Sequence, residues 1–100
     1  MIPISSTLKR MLKLKTTNKF DKDLIQAVKS GKDITKIREV IKKLVNRKPL
    51  EKKYKDHKLK GNFKNRRECH IEPDWLLIYK IEGDTIFFER TGSHSELFKK

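Results

Sequence analysis

The apolar residues near the start of this 100-residue chain recur at helical spacing. The first helix is predicted to begin at Asn18, a residue type that caps helices, and to end at Gly31. Its apolar face contains Phe20, Leu24, Ala27 and Val28. This amphipathic pattern predicts that one side of the helix packs on the rest of the molecule.

A second helix is predicted immediately after the first. Asp33 is a suitable N-cap, and Pro49 requires the helix to end before it. The apolar stripe of this helix contains Ile34, Ile37, Ile41, Leu44 and Val45. Only the short segment SGKD separates the two helices, so we expect an antiparallel helical hairpin.

The last third of the chain has the pattern of β-strands. Strands are predicted over residues 64–71, 75–81 and 85–90, with a further short strand over residues 11–17. The segment EGD at residues 82–84 is typical of a tight hairpin turn, and Ser93 can cap a final helical turn near Phe98. The order βααβββ predicts a small single α+β domain, in which the helical hairpin packs on an antiparallel sheet.

Residues 1–10 fit none of these elements, so we expect a flexible extension or a start-site artefact, with the domain in residues 11–100. The first residues lack the apolar core of a signal peptide. No apolar stretch approaches the roughly 20 residues of a membrane span. These features predict a cytoplasmic protein. The single cysteine, Cys69, cannot form an intrachain disulfide and is expected in the core.

Positive charge is concentrated in the centre of the chain. The formal net charge is +13, and residues 42–67 hold 12 Lys and Arg against two acids. Residues 47–63 form a basic loop, whose Leu50, Tyr54, Leu59 and Phe63 can tether it to the core. This distribution favours a polyanionic partner, with nucleic acid ahead of a membrane surface. A solvated lysine face without a partner is the plain alternative.

Three histidines, His57, His70 and His94, each lie at or beyond the end of a predicted element. At such positions their side chains can converge on one edge of a sheet, where they can exchange protons near neutral pH. Zinc binding is a second interpretation, but the HxH or HxxxH spacing is missing and the surrounding lysines disfavour a divalent cation. We therefore expect no metal. Unconnected surface histidines are the simplest alternative.

Two further residues favour a catalytic interpretation of the histidines. Arg90 lies four residues before His94, and Asp74 lies four residues after His70. Arginine can hold a phosphate through two parallel hydrogen bonds. Together these residues supply a base, an acid, a carboxylate and a phosphate clamp. This set suits RNA cleavage by attack of the 2′-hydroxyl on its own phosphate.

The segments YKDHKLKGNFKNRRECHIEPDWLLIYKI and FERTGSHSELF closely resemble the YafQ-type toxins of the RelE/ParE superfamily, from bacterial toxin–antitoxin systems. The resemblance runs from about Met11 to Phe98 and is most specific from Tyr54 onward. It implies a RelE/ParE-like fold and a metal-independent endoribonuclease, without a cofactor, that enters the ribosomal A site and cuts mRNA there. It also implies a DinJ-like antitoxin as partner of a toxin that is otherwise monomeric.

The resemblance implies site residues as well. The catalytic candidates are His57, His70, Asp74, Arg90 and His94. The basic segment supplies the candidates for RNA binding, Lys52, Lys53, Lys55, Lys60, Lys64, Arg66 and Arg67, and Phe98 in the polar tail can stack on a base. Arg67 and Phe98 also fall on matching positions of the family. Trp75 is expected to anchor the central strand. Arg66 departs from the family pattern, in which an aromatic residue is frequent.

Two other functions are compatible with this fold. A ParE-like toxin would bind DNA gyrase and cut nothing, and a plain RNA-binding module would also carry the basic segment. Neither has a chemical need for His70, Asp74, Arg90 and His94 together. The acid–base set therefore favours the nuclease.

Overall fold

The computed structural model describes residues 11–61 and 65–98, which form a five-stranded sheet with helices on it. Strands β1 to β5 span Lys13–Thr16, His57–Lys58, Arg67–Glu72, Trp75–Glu82 and Thr85–Gly92. Helices α1 to α3 span Asn18–Lys29, Ile34–Val45 and His94–Leu97, and a short 3₁₀ helix covers Lys52–Tyr54. The predicted α+β class is confirmed. The 3₁₀ helix and β2 lie in the segment that the sequence pattern predicts to be a loop.

The sheet is mixed rather than wholly antiparallel. Its strand order is β1-β5-β4-β3-β2, and the pairs β3–β4 and β4–β5 are antiparallel as predicted. Strand β1 instead pairs in parallel with β5, with Lys13 opposite Thr85 and Thr16 opposite Phe88. Parallel pairs need a long crossover connection. The two helices and the three strands between β1 and β5 in the chain supply it.

The helix ends follow the predicted capping chemistry with one shift. Thr17, not Asn18, caps α1, and its hydroxyl accepts a 3.0 Å hydrogen bond from the backbone N–H of Phe20. Asp33 caps α2 as predicted, accepting from the N–H of Thr35 at 3.0 Å. Threonine and asparagine are both good N-caps, so the sequence alone could not choose between these neighbours.

The turn between the helices depends on a glycine. Gly31 has φ +92°, a left-handed conformation that ends α1 where the sequence predicts. The prediction that Val28 belongs to the buried face of α1 is wrong, because 51% of this residue is exposed. Ala27, the residue before it, is buried instead.

Both faces of the central strand β4 are covered, which explains its unbroken apolar run. Trp75, Leu77 and Tyr79 point to the side of α1 and α2 and join the main core. Leu76 and Ile78 point to the opposite side, where Leu97, Phe98 and Leu59 cover them. Successive side chains of a strand alternate between its faces, so two separate cores require a continuous apolar sequence.

A bulge in β5 and a buried threonine fix the end of the sheet that leads into α3. Ile78 lies opposite Arg90 and Tyr79 opposite Phe88, so Glu89 is the extra residue. Thr91 accepts a 2.9 Å hydrogen bond from Trp75 Nε1 and donates one of 2.7 Å to the carbonyl of Leu76. The expected anchoring role of Trp75 agrees with its burial.

Three predictions concern segments outside this description, namely the extension at residues 1–10, the tether Phe63 and the RNA-binding candidate Lys64. Within residues 11–61 and 65–98, no helix has the length and apolarity needed to cross a membrane.

Candidate active site

The three histidines converge on the face of the sheet opposite α1 and α2. His57 lies in β2, His70 in β3 and His94 at the start of α3. The ring of His70 lies 6.2 Å from that of His57 and 5.7 Å from that of His94, measured between centroids. Strand pairing and the β5–α3 connection therefore bring together residues that are far apart in the sequence.

A buried carboxylate that the sequence analysis missed joins two of these histidines. Glu68 is only 5% exposed, and its Oε2 lies 3.2 Å from His70 Nε2 and 3.5 Å from His57 Nε2. A buried carboxylate needs partners to offset its loss of hydration. The available signal was its position two residues before His70, because alternate residues of a strand share a face.

The third histidine has its own carboxylate. Asp74, in the turn between β3 and β4, accepts hydrogen bonds on Oδ1 from the backbone N–H of His94 at 2.9 Å and contacts Nδ1 of its ring at 2.7 Å. These two bonds, the backbone bond first, hold the pKa of Asp74 below its ordinary value. Nε2 is the ring nitrogen of His94 left for a substrate. Sequence spacing suggested His70 as the neighbour of Asp74, but the structure pairs Asp74 with His94.

Arg90, the predicted phosphate clamp, is held by an acid from α1. Its Nε donates to Asp23 Oδ2 at 2.7 Å and its Nη2 donates to Asp23 Oδ1 at 3.2 Å. Asp23 Oδ2 also accepts from the backbone N–H of Thr91 at 3.1 Å. The side chain of Arg90 remains 30% exposed, so solvent reaches part of it. This pair could not be predicted from local spacing, because its members are 67 residues apart.

Both predicted RNA-binding arginines have acidic partners. Arg66 pairs with Glu89, and Arg67 donates to Asp56 Oδ1 at 3.2 Å. The lysine candidates of the described chain are exposed: Lys52, Lys53, Lys55 and Lys60. The structure therefore offers the lysines to solvent, while the two arginines also tie neighbouring elements together.

Two remaining candidates have clear structural positions. Phe98 is half-buried and packs on the smaller core of Leu76, Ile78 and Leu97, which leaves part of its ring on the surface near His94. Cys69 is fully buried, as predicted, and burial raises the pKa of its thiol far above the ordinary value. A thiol that stays protonated is not a nucleophile near neutral pH.

The arrangement can move two protons at one site. His70 and His94 each contact a carboxylate, which is the arrangement of a general acid or base, and Asp23 holds the guanidinium of Arg90 on β5, the strand that leads into α3. The described ligand atoms of Glu68, His70 and His94 also lie within 4.8 Å of one another, a spacing that a metal ion could use. The geometry thus supports acid–base chemistry and leaves metal binding open.

Comparisons with known proteins agree with this geometry. The YafQ toxin family model, described as a bacterial toxin of type II toxin–antitoxin systems, matches residues 12–99. The mRNA interferase toxin YafQ of Escherichia coli strain K12 is 43% identical over 83 residues, which cover 82% of this chain and 90% of the relative.

Solved structures show the same fold. A copper-bound mutant toxin from Helicobacter pylori is 44% identical with a TM-score of 0.85, covering 88% of this chain and 100% of the other. The toxin of the E. coli DinJ–YafQ toxin–antitoxin complex is 40% identical with a TM-score of 0.82, covering 88% and 98%. At this identity and coverage, the likeness extends beyond a shared fold.

Proposed function

The chain belongs to the YafQ family of toxins from type II toxin–antitoxin systems, and on this basis we propose that it is an mRNA interferase that cuts mRNA in the ribosomal A site. The observation that carries the proposal is the convergence of His57, His70 and His94 on one face of the sheet. A toxin that bound DNA gyrase without cutting would have no chemical use for this cluster.

The nucleophile in this proposal is the 2′-hydroxyl of the mRNA itself. One histidine takes the proton from O2′ as O2′ attacks the adjacent phosphorus. The bond from phosphorus to O5′ breaks, and a second histidine gives a proton to O5′. The products are a 2′,3′-cyclic phosphate and a 5′-hydroxyl. Charge on the crowded phosphate is stabilised by nearby cations, with Arg90 the candidate on β5.

The two carboxylates have positioning roles in this proposal. Glu68 lies between His57 and His70 and fixes both rings relative to each other. Asp74 fixes His94 through its backbone and its ring, which directs Nε2 away from the carboxylate. Asp23 plays the same part for Arg90. Each of the three histidines and Arg90 is thus held by an acid, and for His70 this acid lies in the same strand.

The test is a cleavage assay on defined mRNA with and without ribosomes. We expect cutting only on ribosomes, and a loss of about 10²-fold or more for His94→Ala, in line with general acid–base contributions. Ser95→Ala, an exposed neighbour in α3, is the matched control and should cut normally. Full activity of His94→Ala, or absence of cleavage by the wild type together with inhibition of gyrase, would reject the proposal.

We propose that a DinJ-like antitoxin binds this toxin and neutralises it. The E. coli relative is seen in a DinJ–YafQ complex. The net charge of +13 of this chain favours an antitoxin with an acidic segment over the basic surface. Co-expression with the neighbouring short reading frame should suppress toxicity.

A second proposal is that a metal ion binds at the histidine cluster and inhibits the toxin. The H. pylori relative is copper-bound, and in this chain Glu68, His70 and His94 bring their ligand atoms within 4.8 Å. Imidazole suits copper and zinc. An ion bound there would occupy the groups that exchange protons, so it would inhibit rather than serve as a cofactor. Micromolar Cu²⁺ should lower the cleavage rate and EDTA should restore it; Cu²⁺ without effect on the rate would remove this second proposal.

A further inference from the structure

Glu72, the last residue of β3, is held by two lysines from the helical hairpin. Its Oε2 accepts a 2.8 Å hydrogen bond from Lys36 Nζ, and its Oε1 accepts one of 3.3 Å from Lys32 Nζ. Lys32 lies in the turn between α1 and α2, and Lys36 lies in the first turn of α2. These three residues form a lysine clamp that ties the end of β3 to the helical layer.

The lysine clamp lies directly beside the turn that carries Asp74. Glu72 is paired with Trp75, and only Pro73 and Asp74 connect these two residues. Lys32 Nζ also lies 5.7 Å from the centre of the Trp75 ring, so this lysine contacts both residues that flank the turn. Because a two-residue loop leaves the chain little freedom, the position of Asp74 depends on the residues that the clamp holds.

Asp74 in turn holds His94. Within the described residues, the hydrogen bonds of the Asp74 side chain go to His94, to its backbone N–H at 2.9 Å and to its ring at 2.7 Å. Helix α3, which begins at His94, has only four residues, and a helix of this length depends on contacts with the rest of the protein. A shift of the β3–β4 turn would therefore move His94 relative to His70, whose ring lies 5.7 Å away.

We propose that the lysine clamp has a positioning role in cleavage: Glu72, bound by Lys32 and Lys36, fixes the β3–β4 turn so that Asp74 keeps His94 in the histidine cluster. The inference rests on the proposed function, because it treats His94 as a group that exchanges a proton with RNA. The alternative is a surface ion pair without effect on the reaction. Exposed ion pairs add little to stability, whereas a reacting group displaced by about 1 Å can slow a reaction by about 10²-fold. The two roles therefore differ in the rate and hardly in the melting temperature.

The experiment removes the charge of Glu72 and measures association and cleavage separately. Glu72→Gln should lower the single-turnover rate at saturating toxin on the order of tenfold. Its association with ribosomes should stay equal or become tighter, because the two lysines are then free to contact phosphates. Glu82→Gln is the matched control, since it removes the same charge and a 3.4 Å ion pair with Lys80 at the other end of β4. This control should cut at the wild-type rate.

Two further measurements connect the effect to His94. In the His94→Ala background, Glu72→Gln should cause no further loss of rate. Exchanging the charges, with Glu72→Lys and Lys36→Glu combined, should recover most of the rate lost in Glu72→Lys alone. In the free toxin, the backbone amide of His94 should exchange with solvent faster in Glu72→Gln than in the wild type, while amides in the centre of β4 exchange as before.

The positioning role is overturned if Glu72→Gln cuts at the wild-type rate, if its full loss persists in the His94→Ala background, or if the exchange of the His94 amide is unchanged. A wild type that cuts no mRNA would refute the nuclease proposal instead. The exchange measurement needs no activity, so it would still decide whether the clamp holds His94.

Discussion

The hydroxyl of Tyr79 donates a 2.6 Å hydrogen bond to Asp56, the residue that precedes His57. Tyr79 is 1% exposed and belongs to the main core, so this bond joins the segment that carries His57 to the core. Arg67 donates to the same carboxylate oxygen at 3.2 Å. Burial, together with the bond to Asp56, raises the pKa of Tyr79 well above its ordinary value, so the hydroxyl remains a donor.

This bond predicts that Tyr79→Phe acts on cleavage through His57. The rate should fall on the order of tenfold, a fraction of the 10²–10⁴ that a general acid or base contributes. A double-mutant cycle checks the route: in the His57→Ala background, Tyr79→Phe should have no further effect on the rate. Tyr54→Phe, whose hydroxyl has no described partner, is the matched control. Additive losses in the cycle would show that Tyr79 acts on cleavage independently of His57.

The two hydrogen bonds from Arg90 to the carboxylate of Asp23 predict that lysine cannot replace this arginine. Arg90→Lys keeps the charge but loses the two-point contact with Asp23 and, in the proposal, with phosphate. We expect a loss of at least tenfold in the single-turnover rate and about 1 kcal/mol in the free energy of unfolding, because the pair is only partly buried. Unchanged cleavage with lowered stability would assign Arg90 a purely structural role.

The lowered pKa of Asp74 predicts how stability changes with pH. The folded pKa lies below the ordinary value of 3.8, so the contribution of Asp74 is present above that value and is lost as the pH falls through the folded pKa. Asp74→Asn should therefore lower the melting temperature at pH 7, and the difference from the wild type should shrink below about pH 4. Because Asp74 is solvent-exposed, the effect should be small. If the melting temperatures of the wild type and Asp74→Asn differed equally at pH 3 and pH 7, the lowered pKa of Asp74 would be contradicted.

Ribosome binding and cleavage should be separable. Lys52, Lys53 and Lys55 are exposed on or beside the 3₁₀ helix. Their triple replacement by alanine should weaken association and lower its salt slope by about one for each lost phosphate contact. The single-turnover rate at saturating toxin should hardly change. Lys15, Lys19 and Lys22, which are exposed near α1, provide the control triple. If the triple replacement of Lys52, Lys53 and Lys55 left ribosome association unchanged, these lysines would not be the ribosome-binding residues.

The sequence predicted the three candidate histidines better than their partners. His57, His70 and His94 lie at element ends and in a recognisable pattern, so both spacing and resemblance identify them. Glu68 was missed because a glutamate in a chain with 39% charged residues looks like an ordinary solvated side chain. Its burial depends on how β2, β3 and α3 pack together, which no local pattern encodes.

In the fold, too, local features were predicted from the sequence and long-range pairings were not. The capping residue Asp33, the terminator Gly31 and the hairpin between β4 and β5 follow local rules and were predicted. The parallel pairing of β1 with β5 was not, because it joins the two ends of the domain. The pairs Arg90–Asp23 and Asp74–His94 depend on the same long-range register.

The central claim is that the mRNA supplies its own nucleophile. It is tested most directly by an mRNA with a single 2′-deoxy sugar on the 5′ side of the scissile bond. This substrate should bind the ribosome–toxin complex normally and resist cutting, while the all-ribose mRNA yields a 2′,3′-cyclic phosphate or its 3′-phosphate hydrolysis product, and a 5′-hydroxyl. Efficient cutting of the deoxy substrate, or a 5′-phosphate product, would show that an external water attacks and would contradict the account.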